Sequence, residues 1–180
     1  MIAVLKILNR NVTYDIVLAT REDIPSIRDI DTHSLVSRVS EEWLHERHDQ
    51  YKDRFFIAKQ HGTGDIVGYL TAAHHLYYCD HLPGYVYISR FAIREDYRRR
   101  KVGTALLIAL IEHLKGIGGY KGVVADVRKS NAVSLRFFES RFFIRHEVLS
   151  CQEWYQRGEL PEDRHKIVLY HPFWVEDGNL

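Results

Sequence analysis

Two stretches of the sequence carry side chains suited to holding an anion and to moving a proton. The first spans residues 91–107 and reads Phe-Ala-Ile-Arg-Glu-Asp-Tyr-Arg-Arg-Arg-Lys-Val-Gly-Thr-Ala-Leu-Leu. Four consecutive cations, Arg98 to Lys101, precede Val102, Gly103 and an apolar helical pattern. A helix start offers unpaired N–H groups and the positive end of the helix dipole, and glycine lets an anion approach the backbone. The pattern predicts a site for a ligand with several phosphates, although a solvated basic turn before an ordinary helix has the same composition.

The second stretch is Ala-Asp-Val-Arg-Lys-Ser-Asn at residues 125–131. A carboxylate such as that of Asp126 can accept a proton in acid–base catalysis, directly or through a water molecule. The structural alternative is a strand-end carboxylate that only pairs with Arg128 or another cation, since perturbed acids are often structural.

The basic stretch resembles the acyl-CoA pyrophosphate loop of the GNAT superfamily of acyltransferases, whose pattern is Arg/Gln-x-x-Gly-x-Gly/Ala before a helix. Arg98 matches the first position and Gly103 the last, while Lys101 replaces the inner glycine. The resemblance implies acetyl-CoA as the cofactor, with the pantetheine arm along strand residues 88–93 and the pyrophosphate on the amides of residues 99–104. The implied cofactor-binding residues are Phe91, Ala92, Ile93, Arg98, Arg99, Arg100, Lys101, Val102, Gly103, Thr104, Asn131 and Phe138.

The second stretch is similar to the Glu-Val-Arg-x-Ser-Asn motif of protein N-terminal acetyltransferases. This similarity places Asp126 where those enzymes carry their acidic base, and Asn131 on the motif asparagine. Phe142 replaces a glycine of the family pattern, and Phe138 occupies the position of the tyrosine that usually serves as the general acid. A phenylalanine cannot donate a proton, so the candidates for the general acid are, in order, Tyr87, Tyr155 and Tyr85.

Hydrophobic periodicity and turn residues predict the order β-α-α-β-β-β-α-β-α-β-β, with helices at 104–115 and 130–142 and strands at 14–19, 85–93 and 123–127. Residues 1–11 add an extra strand or a docked arm. This order predicts a mixed α/β sheet with helices on both faces, and the resemblance implies the GNAT fold, with a mostly antiparallel sheet and a central splayed parallel strand pair. We expect a single domain over residues 1–180.

Composition narrows the class of protein. Hydrophobic residues make up 46% and charged residues 27% of the 180 residues, with a formal net charge of +1, so no global field favours nucleic acid or membrane. Cys79 and Cys151 have no redox or metal spacing, which is typical of a cytoplasmic protein. The histidines of the stretch 74–81 would point to opposite faces of a strand, so we expect no metal site.

The sequence therefore favours an acetyl-CoA-dependent N-acetyltransferase whose preferred acceptor is the α-amino group of a protein or peptide. The tail from Trp154 to Glu159 resembles a loop of the N-terminal acetyltransferases and supports that acceptor. Two alternatives stay open, a small-molecule amine as the acceptor and a non-catalytic sensor that only binds acyl-CoA. A homodimer through an edge near Pro172 to Trp174 is a further expectation.

Overall fold

The computed structural model describes residues 5–9, 12–35, 38–74, 81–146 and 166–173. Its strands are β1 (Leu5–Asn9), β2 (Val12–Leu18), β3 (Phe55–Gln60), β4 (Ile66–Ala73), β5 (Tyr85–Ile93), β6 (Gly122–Arg128), β7 (Ile144–Arg145) and β8 (Lys166–Pro172). Its helices are α1 (Ile24–Ser34), α2 (Glu41–Tyr51), α3 (Val102–Ile117) and α4 (Ala132–Glu139). The predicted order of elements is confirmed, with β1 as an additional strand ahead of it. The described helices fall short, in length or apolar character, of what crossing a bilayer requires.

The chain divides into two compact units, one of Met1–Ala73 and Ser89–Gly118 and the other of His74–Ile88 and Gly119–Leu180. In the first unit, β1, β2, β3 and β4 follow one another as antiparallel neighbours. The second half of β5 continues this order, because the Arg94 N–H donates to the Val67 carbonyl and the Ser89 hydroxyl to the Thr71 carbonyl. Because the later residue along β5 contacts the earlier residue of β4, the two strands are antiparallel.

Helices cover both faces of the sheet in the first unit. Because side chains alternate along a strand, Phe55 and Ile57 of β3 pack with Ile24 and Ile27 of α1 in one buried cluster. Phe56 points the other way, and its ring meets His113 of α3 with centroids 5.5 Å apart. An amphipathic helix therefore lies against each face.

The second unit contains the parallel strand pair predicted from the sequence. Tyr85, Val86 and Tyr87 of β5 pair in parallel with Gly122, Val123 and Val124 of β6, and the pairing extends over those three positions. Antiparallel β8 follows β6 over its whole length, from Gly122 opposite Pro172 to Arg128 opposite Lys166. Strand β7 closes this side against β8. A short parallel pairing beside a long antiparallel one is the arrangement expected of a splayed pair.

Thr20 and Asp23 form a capping box at the 3₁₀ turn that leads into α1. Thr20 donates from its N–H (2.9 Å) and its hydroxyl (3.0 Å) to the Asp23 carboxylate, and the Lys59 ammonium lies 2.9 Å from the same group. Burial acts to raise the pKa of Asp23, but these hydrogen bonds and the lysine charge outweigh it and lower that pKa. A carboxyl whose folded pKa is lowered stabilises the fold above its unfolded pKa, and loses that effect as the pH falls through its folded pKa.

Replacing Asp23 with asparagine should therefore lower the free energy of unfolding by about 1 kcal/mol at pH 7, because hydrogen bonds to a charged group contribute about 1 kcal/mol more than those to a neutral one. The difference from wild type should shrink as the pH falls below the ordinary aspartate value of about 3.9. Urea unfolding at pH 7 and at pH 3 measures it. A wild-type advantage of equal size at both values would contradict the role of the charged carboxylate.

Candidate active site

The predicted phosphate loop begins where β5 ends, in the first unit. A short 3₁₀ turn, Glu95–Tyr97, follows the strand, and α3 begins at Val102. The first helical hydrogen bond runs from the Ala105 N–H to the Lys101 carbonyl at 3.0 Å. The N–H groups of Val102 and Gly103 precede that bond, so they have no acceptor within the helix. The sequence thus produces the amide cluster that an anion requires.

Two residues of this loop lie in the left-handed region without being glycine. Arg99 has φ +59° and Lys101 has φ +62°. Lys101 is the residue that replaces the inner glycine of the family pattern, and it caps α3 in a left-handed conformation with ψ 3°. The loop therefore keeps the glycine-type backbone although the glycine is absent. Phe142 repeats this behaviour, with φ +59° where the second family pattern has its other glycine.

The Lys101→Gly variant tests this reading of the loop. A non-glycine residue in the left-handed region costs about 1–2 kcal/mol, and glycine returns part of that as extra freedom of the unfolded chain. We expect Lys101→Gly to raise the free energy of unfolding by roughly 0.5–1 kcal/mol. Urea unfolding measures it.

The matched control is Lys115→Gly, the same exchange inside α3, which should destabilise by about 1 kcal/mol because glycine is a poor helix former. If both variants destabilise the fold by the same amount, Lys101 carries no backbone strain.

The cations of the loop differ in their partners. The Arg98 Nε–H donates to the Ile93 carbonyl (3.3 Å), which ties the loop back to the end of β5. The Arg100 guanidinium lies over the Tyr97 ring, 5.1 Å from its centroid. Arg99 and Lys101 are exposed, as residues that meet a solvated phosphate group would be. The remaining residues predicted to bind the cofactor on this unit lie in the last positions of β5 and the first turn of α3: Phe91, Ala92, Ile93 and Thr104.

The predicted catalytic residues lie in the second unit. The Tyr87 hydroxyl donates to Asp126 Oδ1 at 3.1 Å, and the Lys166 Nζ donates to Asp126 Oδ2 at 2.7 Å. The Asp126 side chain is only 10% exposed. The structure thus brings together the candidate base and the first candidate acid, and adds a lysine that the sequence had not indicated. Tyr155 and the stretch from Trp154 to Glu159 lie outside the described residues.

Side-chain alternation explains why these groups meet. Tyr87 is the register partner of Val124, two positions before Asp126 on the same face of β6. Lys166 is opposite Arg128, again two positions from Asp126 on that face. Asp126 is therefore the diagonal neighbour of both groups. Among the described residues, the cation seen to pair with Asp126 is Lys166 rather than Arg128.

Tyr85 and Tyr170 form an apolar cluster with Tyr87 and the buried Val124 and Val168. The rings of Tyr85 and Tyr170 meet edge to face with centroids 5.9 Å apart. Burial, followed by the proximity of Tyr170, raises the pKa of the Tyr85 hydroxyl. Tyr85 packs in this aromatic cluster, and its role as the third candidate acid stays a prediction.

Asn131 and Phe138 have structural roles on α4. Asn131 is the N-cap, and its Oδ1 accepts from the Ser134 N–H at 3.1 Å. Phe138 is buried, and its ring packs against Phe137 (5.2 Å) and Phe143 (4.9 Å). Their predicted contact with the cofactor stays a prediction. The described residues contain no cluster of three or more histidine, cysteine, aspartate or glutamate side chains arranged for a metal ion.

Sequence reasoning missed a buried polar network in the first unit. Asp31 of α1 is fully buried, and the Arg90 guanidinium of β5 donates to both of its oxygens, from Nε at 2.9 Å and from Nη2 at 2.6 Å. The Tyr69 hydroxyl donates to the same carboxylate. Burial and the Asp31 charge raise the pKa of Tyr69. The signal in the sequence is the position of Asp31, seven residues after Ile24 and four after Ile27, on the apolar stripe of α1.

Comparisons with known proteins identify the family and the fold of this chain. The sequence profile of the acetyltransferase (GNAT) family matches residues 24–142. An N-alpha-acetyltransferase of Sulfolobus acidocaldarius is 27% identical over 155 residues, which cover 83% of this chain and 90% of that protein. Among solved structures, Ard1 from Thermoplasma volcanium matches with a TM-score of 0.73 at 19% identity, over 88% of this chain and 97% of that one. The ribosomal-protein-S18-alanine N-acetyltransferase from Escherichia coli matches with a TM-score of 0.70 at 22% identity, over 93% and 98% of the two chains. The predicted fold class is confirmed.

Proposed function

Because this chain belongs to the GNAT family of acetyltransferases and is therefore an acetyl-CoA-dependent acyltransferase, we propose that its acceptor is the α-amino group of a protein or peptide. The observation that carries the proposal is the Tyr87–Asp126–Lys166 cluster, whose aspartate begins the motif Asp-Val-Arg-Lys-Ser-Asn. Two curated relatives, 27% and 28% identical over more than four fifths of this chain, bear the name N-alpha-acetyltransferase. Their name and the motif agree on this acceptor.

The residues of the loop fit a pyrophosphate. Val102 and Gly103 present N–H groups without a helical acceptor, and four cations precede them. Anions at a helix N-terminus are stabilised by such N–H groups and by the helix dipole. Acetyl-CoA, when bound, supplies the acetyl thioester. We assign the loop to its phosphates and the backbone of residues 88–93 to its pantetheine arm.

Asp126 and Tyr87 account for the protons of the reaction. The amine must be neutral to attack, and it must lose a proton as its new bond to carbon forms; Asp126 accepts that proton. The sulfur leaves with the electrons of the broken carbon–sulfur bond, and the Tyr87 hydroxyl gives it a proton. Asp126 then returns its proton to Tyr87 along their 3.1 Å hydrogen bond. Both residues end as they began, and the products are the amide and the free thiol.

Lys166 orients the Asp126 carboxylate. Its ammonium lies 2.7 Å from one oxygen of that carboxylate, whose side chain is 10% exposed. This contact fixes that oxygen, so that Oδ1 faces Tyr87. Asp126 thus forms an ion pair, as the structural alternative in the sequence analysis expected, and in this proposal it also acts as the base.

Release of free CoA from acetyl-CoA tests the acceptor. Peptides with a free α-amine, the same peptides with that amine blocked, and a panel of small amines are assayed side by side. We expect turnover on the free peptides and none on the blocked ones. Turnover on small amines only would refute the peptide acceptor, and acetyl-CoA binding without any transfer would favour an acyl-CoA sensor.

A further inference from the structure

Tyr97 ends the 3₁₀ turn at the start of the predicted phosphate loop, and two strands of the first unit fix its ring. The Tyr97 hydroxyl donates to Gln60 Oε1 of β3 at 2.7 Å. The ring meets that of Tyr14 on β2 edge to face, with centroids 6.3 Å apart. Tyr14 and Gln60 are register partners on these antiparallel strands, so their side chains lie side by side on one face of the sheet. Two neighbouring strands thus hold one tyrosine in place.

Burial distinguishes Tyr97 from the residues around it in this loop. Tyr97 is half-buried, whereas Glu95, Asp96 and residues 98–101 are exposed. Tyr14, against which the Tyr97 ring packs, is only 1% exposed. The Tyr97 ring therefore extends the core of the first unit into a loop whose basic residues are solvated.

Two guanidinium groups lie over this ring. Its centroid is 5.0 Å from the guanidinium carbon of Arg94 and 5.1 Å from that of Arg100. Both distances are within the range of a cation–π interaction. A planar guanidinium stacks on an aromatic face, which a compact ammonium cannot do. Tyr97 thus contacts one cation just after β5 and another just before α3.

The two arginines differ in the compensation of their charge. Arg94 donates to both carboxylate oxygens of Asp96, from Nε at 3.3 Å and from Nη2 at 2.9 Å. Arg100 has no carboxylate partner within the ranges of the chain that the structure describes, and its contact there is with the ring. The ring therefore sets the position of the Arg100 guanidinium without neutralising it.

We propose that Tyr97 is a positioning residue for the bound cofactor, whose ring holds the Arg100 guanidinium where a phosphate of CoA binds. The inference rests on the proposed function, which assigns this loop to the CoA phosphates. A free arginine side chain loses rotamer freedom when it binds an anion, and a ring that orders the side chain beforehand reduces that loss. Tyr97 acts through Arg100 and is not a catalytic residue.

Calorimetry with CoA measures the contribution of each group. Arg100→Gln removes the charge and should raise the dissociation constant about tenfold, the usual effect of losing a hydrogen bond to a charged group. Tyr97→Leu removes the ring and should raise it about two- to fivefold, an effect limited by the strength of a cation–π interaction. Tyr97→Phe loses only the hydroxyl, so its affinity should stay within about twofold of wild type.

A double-mutant cycle separates positioning from a purely structural role. If Tyr97 acts through Arg100, Tyr97→Leu should not weaken CoA binding further in an Arg100→Gln background, because the group that the ring positions is gone. If Tyr97 only keeps the loop folded, Tyr97→Leu weakens CoA binding by the same factor in both backgrounds, and the proposal is overturned.

A second comparison leaves Tyr97 in place, so it does not depend on whether Tyr97→Leu folds. Arg100→Lys keeps the charge but loses the planar contact with the ring, and it should weaken CoA binding about two- to fivefold. Arg94→Lys makes the same exchange over the same ring, but Asp96 already compensates that charge, so the affinity should change less than about twofold. If the two variants bind CoA equally well, the ring does not position Arg100 and the proposal is overturned.

Tyr51, at the end of α2, provides the matched control for Tyr97→Leu. Its ring also lies near two guanidinium groups, with centroid distances of 5.7 Å to Arg47 and 5.9 Å to Arg54, and none of these residues belongs to the loop. Tyr51→Leu should therefore leave the dissociation constant for CoA unchanged. A loss as large as that in Tyr97→Leu would be a general effect of removing such a ring and would overturn the link to Arg100.

The outcomes separate this proposal from the proposed function. If Arg100→Gln and Gly103→Val both bind CoA as wild type does, the assignment of the loop to the phosphates fails, and this proposal fails with it. If only Arg100→Gln binds CoA as wild type does, the amide cluster still holds the phosphates, and Tyr97 only stabilises the loop. The acceptor screen uses wild type and is unaffected by either result.

Discussion

Asp126→Asn should lower kcat by about a hundredfold or more while acetyl-CoA still binds with its wild-type affinity. General-base catalysis contributes roughly 10²–10⁴-fold to enzymatic rates, and an asparagine amide cannot accept the amine proton. The exchange keeps the size of the side chain and an oxygen that can accept from Tyr87 and Lys166. The loss should be largest below the ordinary α-amine pKa of about 7.7–8.0, where the amine itself arrives protonated.

Asp23→Asn is the matched control. Asp23 and Asp126 are similar carboxylates, with side chains 11% and 10% exposed and lysine partners at 2.9 Å and 2.7 Å. Both variants remove a charge from a lysine pair, and any general effect of doing so on stability should appear in both. Steady-state kinetics with varied acceptor and varied acetyl-CoA should show a loss of kcat for Asp126→Asn alone. Equal kcat values in the two variants would mean that another group, or water, takes the proton.

Much of the fold followed from the sequence because its signals are local. The apolar spacing of α3 predicted a helix at 104–115 and the structure has one at Val102–Ile117, while β5 lies at the predicted residues 85–93. Capping at Thr20 and Ser40 also depends on residues three or four positions apart. The end of α4 was predicted too late, because Ser140 closes the helix and Phe142 takes a left-handed conformation that no propensity favours for phenylalanine.

The contacts that define the candidate site are of another kind. Lys166 reaches Asp126 across 40 residues of sequence, and Arg90 reaches Asp31 across 59. Those pairs depend on strand register and on which helix face meets the sheet, and neither can be deduced from a local sequence pattern. The family pattern supplied Asp126 and Gly103, since it records spacing near a motif. It could not supply the partners that orient those groups.

At the two positions where another residue replaces a family glycine, the backbone has a conformation that the residue type does not favour. A pattern with glycine at two positions suggests that the backbone there needs a left-handed conformation, and a lysine and a phenylalanine at those positions suggest that the need has gone. Lys101 and Phe142 nevertheless have φ of +62° and +59°. Lys101 directly precedes Val102, the first residue of α3, whose first N–H groups form the amide cluster. The strain is local, and the fold tolerates it at the edge of its candidate phosphate site.

Gly103→Val should weaken acetyl-CoA binding by about 10- to 100-fold, which corresponds to the loss of one or two hydrogen bonds to a charged group. A branched side chain in the first turn of α3 would hold a phosphate away from the Val102 and Gly103 amides. Gly116→Val is the control, since it places the same side chain in the last part of α3, where an added Cβ would meet no described atom within 4 Å beyond its chain neighbours and its own helix backbone. Both variants place a valine in α3, one beside the amide cluster and the other at the far end of the helix. Calorimetry with CoA should separate them by at least about tenfold in dissociation constant. If Gly103→Val and Gly116→Val bind CoA equally well, the phosphates lie elsewhere, and the basic residues 98–101 form an ordinary solvated turn.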